Sequence, residues 1–224
     1  EEISGIHGCV FSNELVDNFA VHQVVMRDEL MEVCVNYREG FVEELIPARE
    51  EIKEYLRELK VVLPRGFRTE INLDAIEWIK RIATALTRGY VMTIDYGYMS
   101  QELYSERRKD GTMLCYNKHR INNDPYADVG VQDITSHVNF SALCHWGDKH
   151  GLACSGFTNQ AGFLLSLGFR ELLRKNTENT AQAAMKEAFI IRTLLLDMGM
   201  KFKVLVQNKQ APRKQISGLA LRQP

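Results

Sequence analysis

Apolar and polar positions along the chain change period several times, and each change marks an expected element. Residues 8–11 (Gly-Cys-Val-Phe) form a short apolar run that reads as a buried strand. A polar turn, Ser12-Asn13-Glu14, follows and leads into a helical turn through Phe19. Residues 21–26 read as a second strand. Residues 31–37 alternate, which places Met31, Val33, Val35 and Tyr37 on one face of a half-exposed strand. The period then becomes helical: Ile52, Tyr55, Leu56 and Leu59 predict an amphipathic helix within 48–60. Asn72 is an N-cap candidate for a helix over 73–87, striped by Ile76, Ile79, Ala83 and Leu86.

Gly89 punctuates the pattern before a buried strand, Tyr90–Ile94, that ends in Asp95-Tyr96-Gly97-Tyr98. A helix followed by a buried strand with a polar end is half of a βαβ unit. Residues 99–139 are polar and loop-rich, with one strand at 112–116. Helix is predicted over 140–149, and a strand starts at Gly156-Phe157. Two short helical stretches lie near 160–175. A long helix over 180–198 presents Ala184, Ala188, Ile191, Leu195 and Met198 on one side, with Gly199 as its stop. Phe202–Val206 is the last strand. Without a repeat or a linker, residues 1–224 read as one α/β domain.

Net charge is −1, which argues against a general nucleic-acid binder. The balance is uneven: residues 1–60 hold 14 acids and 6 bases, whereas residues 161–224 hold 4 acids and 11 bases. The acidic quarter could attract the basic one, face a cationic substrate, or form a solvated surface. Five cysteines with no C-x-x-C pair fit a reducing compartment, and the scattered histidines give no metal site. No apolar run is long enough to insert in a membrane. The chain opens on Glu1 with no leader pattern, so it is expected to be the later part of a longer protein.

Two polar clusters could carry chemistry. In open α/β sheets ligands gather at the carboxyl ends of strands. There the sequence places Ser12, Asn13 and Glu14, with Asp17 one turn on, and Asp95 with Tyr96. Glu14 and Asp17 are three apart and could share one side of a helical turn. Carboxylates in such a place suit a guanidinium, which they bind with two parallel hydrogen bonds. The same residues could instead cap a helix and complement its dipole. The second cluster is Gln132–Phe140, in which Asp133, Thr135 and His137 could handle a substrate or a proton, or form a turn and helix cap. Lys118-His119-Arg120 is a basic triplet of surface character. No G-x-G-x-x-G, G-x-x-x-x-G-K-[ST] or G-x-S-x-G motif occurs.

The ordered motifs Ser12–His22, Thr93-Ile94-Asp95-Tyr96-Gly97, Gly111–Tyr116 with the basic triplet, Asp124-Pro125, Gln132–Phe140 and Met198–Leu205 resemble the MidA family of S-adenosylmethionine-dependent methyltransferases. That family includes the mitochondrial complex I assembly methyltransferase. The resemblance implies a Rossmann-like class I methyltransferase fold, here its later strands, with insertions at about 21–60 and 98–140 roofing the substrate site. It implies S-adenosylmethionine as cofactor and methylation of an arginine on a protein, in the mitochondrial case a complex I subunit. By analogy of position, Glu14, Asp17 and His137 are catalytic; Asn13, Asp95, Tyr96, Asp133 and Thr135 bind substrate; Ser12 and Asn13 touch cofactor. The family's cofactor glycines and ribose-binding acid belong to earlier strands, so this piece alone is expected to bind cofactor poorly. A same-fold enzyme for another acceptor and a non-catalytic assembly factor are the alternatives. The expected setting is the bacterial cytoplasm, with the mitochondrial matrix as alternative. The expected partner is an arginine-bearing protein, with homo-oligomerisation left open.

Overall fold

The computed structural model describes residues 3–117, 120–176, 180–211 and 215–220, so Lys118 and His119 of the basic triplet lie outside the described residues. In chain order the first strands are β1 (Ile6–Asn13), β2 (His22–Met26), β3 (Leu30–Tyr37), β4 (Phe41–Pro47), β5 (Arg68–Ile71) and β6 (Leu86–Tyr98). They are followed by β7 (Leu114–Asn117), β8 (Arg120–Asn122), β9 (Asp133–Thr135), β10 (Val138–Asn139), β11 (Ala153–Asn159) and β12 (Phe202–Lys209). The helices are α1 (Glu50–Glu58), α2 (Leu73–Ala85), α3 (Ser100–Leu103), α4 (Phe140–Lys149), α5 (Gln160–Ser166), α6 (Phe169–Asn176) and α7 (Ala181–Ile191). Two compact units result. One comprises residues 1–14, 82–96 and 147–224; the other comprises 15–81 and 97–146 and contains both segments expected as insertions.

The first unit is built on a sheet of order β1-β6-β12-β11, in which β1 and β6 are parallel and β12 runs antiparallel to both its neighbours. Parallel neighbours require a crossover, and the chain between β1 and β6 supplies α2 on the way. The core on one face of this sheet gathers Phe163 of α5 with Val204 and Val206, against Tyr90, Met92 and Ile94 of β6.

Three sequence expectations for this unit are corrected. β1 is not buried: it pairs only with β6 among the described residues, and Phe11 is 59% exposed. Gly89 does not end an element but lies inside the 13-residue β6. Its φ is +146°, and a Cβ there would overlap the carbonyl of Gly8, its partner on β1. Glycine is needed for that close backbone approach. Finally, the helix foreseen over 180–198 changes at Arg192 into a π-helical turn reaching Asp197. Leu195 is buried, but Ala184 and Ala188 are exposed, as are the larger Met185 and Phe189. Helical period reports which residues share a face, not whether anything packs over it.

The second unit holds an antiparallel sheet of order β4-β3-β2-β5 and a small sheet of order β8-β7-β9. Short β10 lies parallel to Gly97-Tyr98. β4 and β5 escape the sequence pattern because their polar residues, Glu43, Glu44, Arg68 and Glu70, sit among the apolar ones. α1 buries Ile52, Tyr55 and Leu56, with Tyr55 stacked on Trp146 at 5.0 Å. α2 starts as foreseen: Asn72 Oδ1 accepts from the Ala75 amide at 2.8 Å.

The face of β3 is reversed relative to the alternation. Leu30 and Glu32 are buried, whereas Val35 and Tyr37 are exposed. The reason is electrostatic. Glu32 accepts two hydrogen bonds from Arg49, at 3.0 and 2.9 Å, and contacts His22 Nδ1 at 2.9 Å. Burial alone pushes the Glu32 carboxyl up in pKa, but the bonds from Arg49 and His22 outweigh it and the net direction is down. A charge so paired can occupy a core position that apolar patterning assigns to the opposite face.

Candidate active site

The polar strand ends are realised in the first unit. Ser12 faces Thr93 and Asn13 faces Ile94 in the parallel register, and the Glu14 amide donates to the Ile94 carbonyl at 3.0 Å. Glu14 thus ends the ladder, with φ at +48°, a left-handed conformation that costs a non-glycine residue about 1–2 kcal/mol. Its carboxylate is exposed and accepts from Asn13 Nδ2 at 3.3 Å. Asp95 and Tyr96 continue β6. Asp95 is fully buried, and its Oδ1 accepts from the Tyr96 amide at 3.0 Å. Tyr96 sets its ring edge-on to Phe202 at 5.2 Å. The hydroxyls of Ser12 and Thr93 are buried and have no hydrogen-bond partner among the described residues. Ser12, Asn13, Glu14, Asp95 and Tyr96 thus lie near one end of the β1–β6 pair, with successive side chains on opposite faces.

Asp17 belongs to the second unit, in a 3-10 turn, Val16–Asn18, where it is buried and its Oδ1 accepts from Asn18 Nδ2 at 2.8 Å. The turn is tied to the other predicted cluster: the Asp17 carbonyl accepts from the Ser136 amide at 3.1 Å. Asp133 pairs with Tyr116 and is exposed, whereas Thr135 pairs with Leu114 and is buried. His137 alone of the three lines a cavity of about 560 Å³, shared with Gln23, Glu43, Arg68, Arg108 and Met113. His137 lies against the ring of Tyr98 at 5.3 Å, and the Arg108 guanidinium covers Tyr98 at 3.6 Å. Glu43 is held below the usual carboxylate range chiefly by hydrogen bonds from Arg68.

Burial, with a smaller contribution from the Arg108 charge, lowers the His137 pKa from 6.5 to about 4. The imidazole is therefore neutral at pH 7 and only weakly basic there. Folding favours the neutral ring, so its contribution to stability is full above pH 6.5 and is lost as the pH falls toward 4. Histidine NMR should show His137 titrating near 4, and Arg108→Gln should move it upward without restoring the ordinary value.

Two features go beyond the sequence reading. Asn139 caps α4 through Ala142 and joins Tyr55, Tyr104 and Ser100, yet in sequence it is one polar residue before a helix. Glu70 is buried on β5 beside the cavity wall at Gly111-Thr112, and no local motif announces it.

A sheet with parallel β1 and β6 and a polar cluster at their carboxyl ends accords with a Rossmann-like α/β fold. Residues 1–158 match the model of an S-adenosyl-L-methionine-dependent methyltransferase family, and the chain belongs to that family. It is similar to a COG1565 superfamily member from Burkholderia thailandensis whose crystal structure holds S-adenosyl-homocysteine, with 31% identity and a TM-score of 0.86. That alignment covers 95% of this chain and 56% of the other. A native crystal structure of a COG1565 superfamily protein from the same organism aligns at 30% identity and a TM-score of 0.87, over 95% and 57% of the two chains. The chain thus spans somewhat more than half the length of these proteins. No curated protein matches it. Among the described residues no helix is long and apolar enough to cross a membrane.

Proposed function

We propose that this chain carries the acceptor-side chemistry of a protein arginine N-methyltransferase of the MidA type, working in the bacterial cytoplasm on an arginine-bearing protein. The observation that carries the reading is Glu14, an exposed carboxylate held in a strained backbone conformation at the end of a parallel strand. Strain retained at a strand end is characteristic of functional sites. A carboxylate there can take a guanidinium through two parallel hydrogen bonds and localise its positive charge on the nitrogens that do not react.

The residues at this strand end fit the cofactor. Ser12 offers a buried hydroxyl whose hydrogen-bonding capacity is unused within the described residues, and Asn13 offers an exposed amide. When bound, S-adenosylmethionine supplies a methyl group already activated by the sulfonium. The protein's task is then alignment of the acceptor nitrogen and exclusion of water. We assign the cavity of the second unit, taken by itself, to contact with the acceptor polypeptide, with the neutral His137 as a hydrogen-bonding group in its wall. The main-chain carbonyl of Asp17 holds the loop at Ser136.

The test uses the protein, S-adenosylmethionine, and three peptides differing only in Arg, Lys or Ala at one position. S-adenosylhomocysteine release with the Arg peptide alone is the expected result. Methylation of the Lys peptide would point to the same fold acting on a different acceptor. An assembly role has its own support in the aromatic run of exposed Tyr37 and Phe41 and half-buried Tyr126, with Tyr37 edge-on to Phe41 at 5.5 Å and Phe41 stacked on Tyr126 at 5.8 Å. No methyl transfer to any peptide, with a protein partner retained on that aromatic run, would favour it.

A further inference from the structure

We propose that Glu70 and Thr112 form a positioning pair that sets the place of His137 in the cavity. This rests on the reading of His137 as part of the acceptor site. Glu70 Oε2 accepts from the Thr112 amide at 2.9 Å and from the Thr112 hydroxyl at 2.8 Å. The same hydroxyl oxygen accepts from the His137 amide at 3.0 Å. A threonine hydroxyl has one proton to give and two lone pairs. With its proton on Glu70, it can only receive from His137, so the chain of bonds has one direction: His137 to Thr112 to Glu70.

The surroundings show that this arrangement is built. A Cβ at Gly111 would collide with Glu70 Oε1, and Gly111 has φ at +90°, so glycine makes room for the carboxyl. Glu70 is 7% exposed and has no ion-pair partner among the described residues. Burial raises its pKa, and the bonds from Thr112 offset that only in part. A buried acid without a salt bridge is costly to keep. Its side-chain hydrogen bonds are with Thr112, beside main-chain bonds from Met113 and Glu70 itself, and through Thr112 it reaches the backbone of the residue that lines the cavity. The neighbouring ladder supports the same segment, because Leu114 and Thr135 are paired two residues from Thr112 and from His137. Cutting the link at Thr112 frees His137 to move while leaving that ladder intact.

The experiment uses the protein labelled on histidine, with the His137 resonance assigned from His137→Gln. Thr112→Val preserves shape and removes both hydroxyl bonds; Thr112→Ser keeps the hydroxyl. In Thr112→Val the His137 resonance should shift and its pKa should rise by about one unit as the ring gains solvent. Turnover of the Arg peptide should fall about tenfold or more, with KM for the cofactor unchanged. Thr112→Ser should restore both readouts. A purely structural role would lower the melting temperature and leave the His137 titration in place, and that result overturns the proposal. Should Thr112→Val fail to fold, Glu70→Gln decides by the same readout. It keeps one acceptor oxygen, so a smaller shift in the same direction supports the pair, and none overturns it. Full turnover in His137→Ala would instead reject the acceptor-site reading, while a shifted His137 resonance in Thr112→Val would still establish the positioning pair.

Discussion

Glu14→Gln is expected to lower turnover by at least about 10²-fold, or about 2.7 kcal/mol of transition-state stabilisation. The substitution keeps size and one hydrogen-bond acceptor but removes the charge that would face a guanidinium. Cofactor affinity should stay unchanged, because the carboxylate is assigned to the acceptor. Glu14→Gly makes a sharper companion. Glycine enters the left-handed region without the steric cost that glutamate bears at φ +48°. Glu14→Gly should therefore lose turnover without losing stability, which separates a functional carboxylate from a structural one. Steady-state assays with the Arg peptide, calorimetry with S-adenosylmethionine and thermal melting give the three readings. Full activity in Glu14→Gln would reject the guanidinium grip, and a parallel loss of cofactor binding would move Glu14 to the cofactor.

The largest effect on stability is expected at Asn139. Its Nδ2 donates to Tyr55 at 3.0 Å and Tyr104 at 3.1 Å. Its Oδ1 accepts from the Ser100 hydroxyl at 3.1 Å and the Ala142 amide at 3.3 Å. Asn139→Leu matches the volume and removes all four bonds at once: the two buried phenols keep only their bond to each other, and a hydroxyl and a helix-end amide lose this partner. Each such group costs about 1–3 kcal/mol, so the loss should be at least ~3 kcal/mol. Burial drives the Tyr55 phenol well above its ordinary pKa and Tyr104 to about 12, so neither hydroxyl escapes by ionising. Tyr55→Phe removes one phenol and should cost about 1 kcal/mol. Denaturant unfolding of the two variants provides the comparison, and equal losses would show that the bonds of Asn139 beyond that to Tyr55 add no stability.

These two residues also mark how far a sequence can be read. Glu14 was legible because a polar turn directly after an apolar run places a carboxylate at a strand end, a place with a known use in α/β sheets. Asn139 was legible only as part of a motif. Its four partners come from 84, 39 and 35 residues upstream and from three residues downstream. Asp17 shows the reverse: spacing placed it beside Glu14 on a helical turn, but the turn is too short to be a face, and its carboxylate is buried beside Asn18.

The sequence by itself determined the elements with a strong local signature: the Asn72-capped helix, the striped α1, the alternation from α4 through β12, and the polar ends of β1 and β6. These depend on periods and caps that neighbouring residues set among themselves. It also carried the motifs that mark the methyltransferase family. Only the tertiary structure decided which face of β3 is inside, because a bidentate arginine reverses the usual preference of a glutamate. Only there do Glu70, Thr112 and His137 meet, across separations of 42 and 25 residues. A hydrogen bond acts over about 3 Å, whereas periodicity reaches only a few turns along the chain. The groups that shape the cavity are therefore joined by folding and are not announced by their neighbours in sequence.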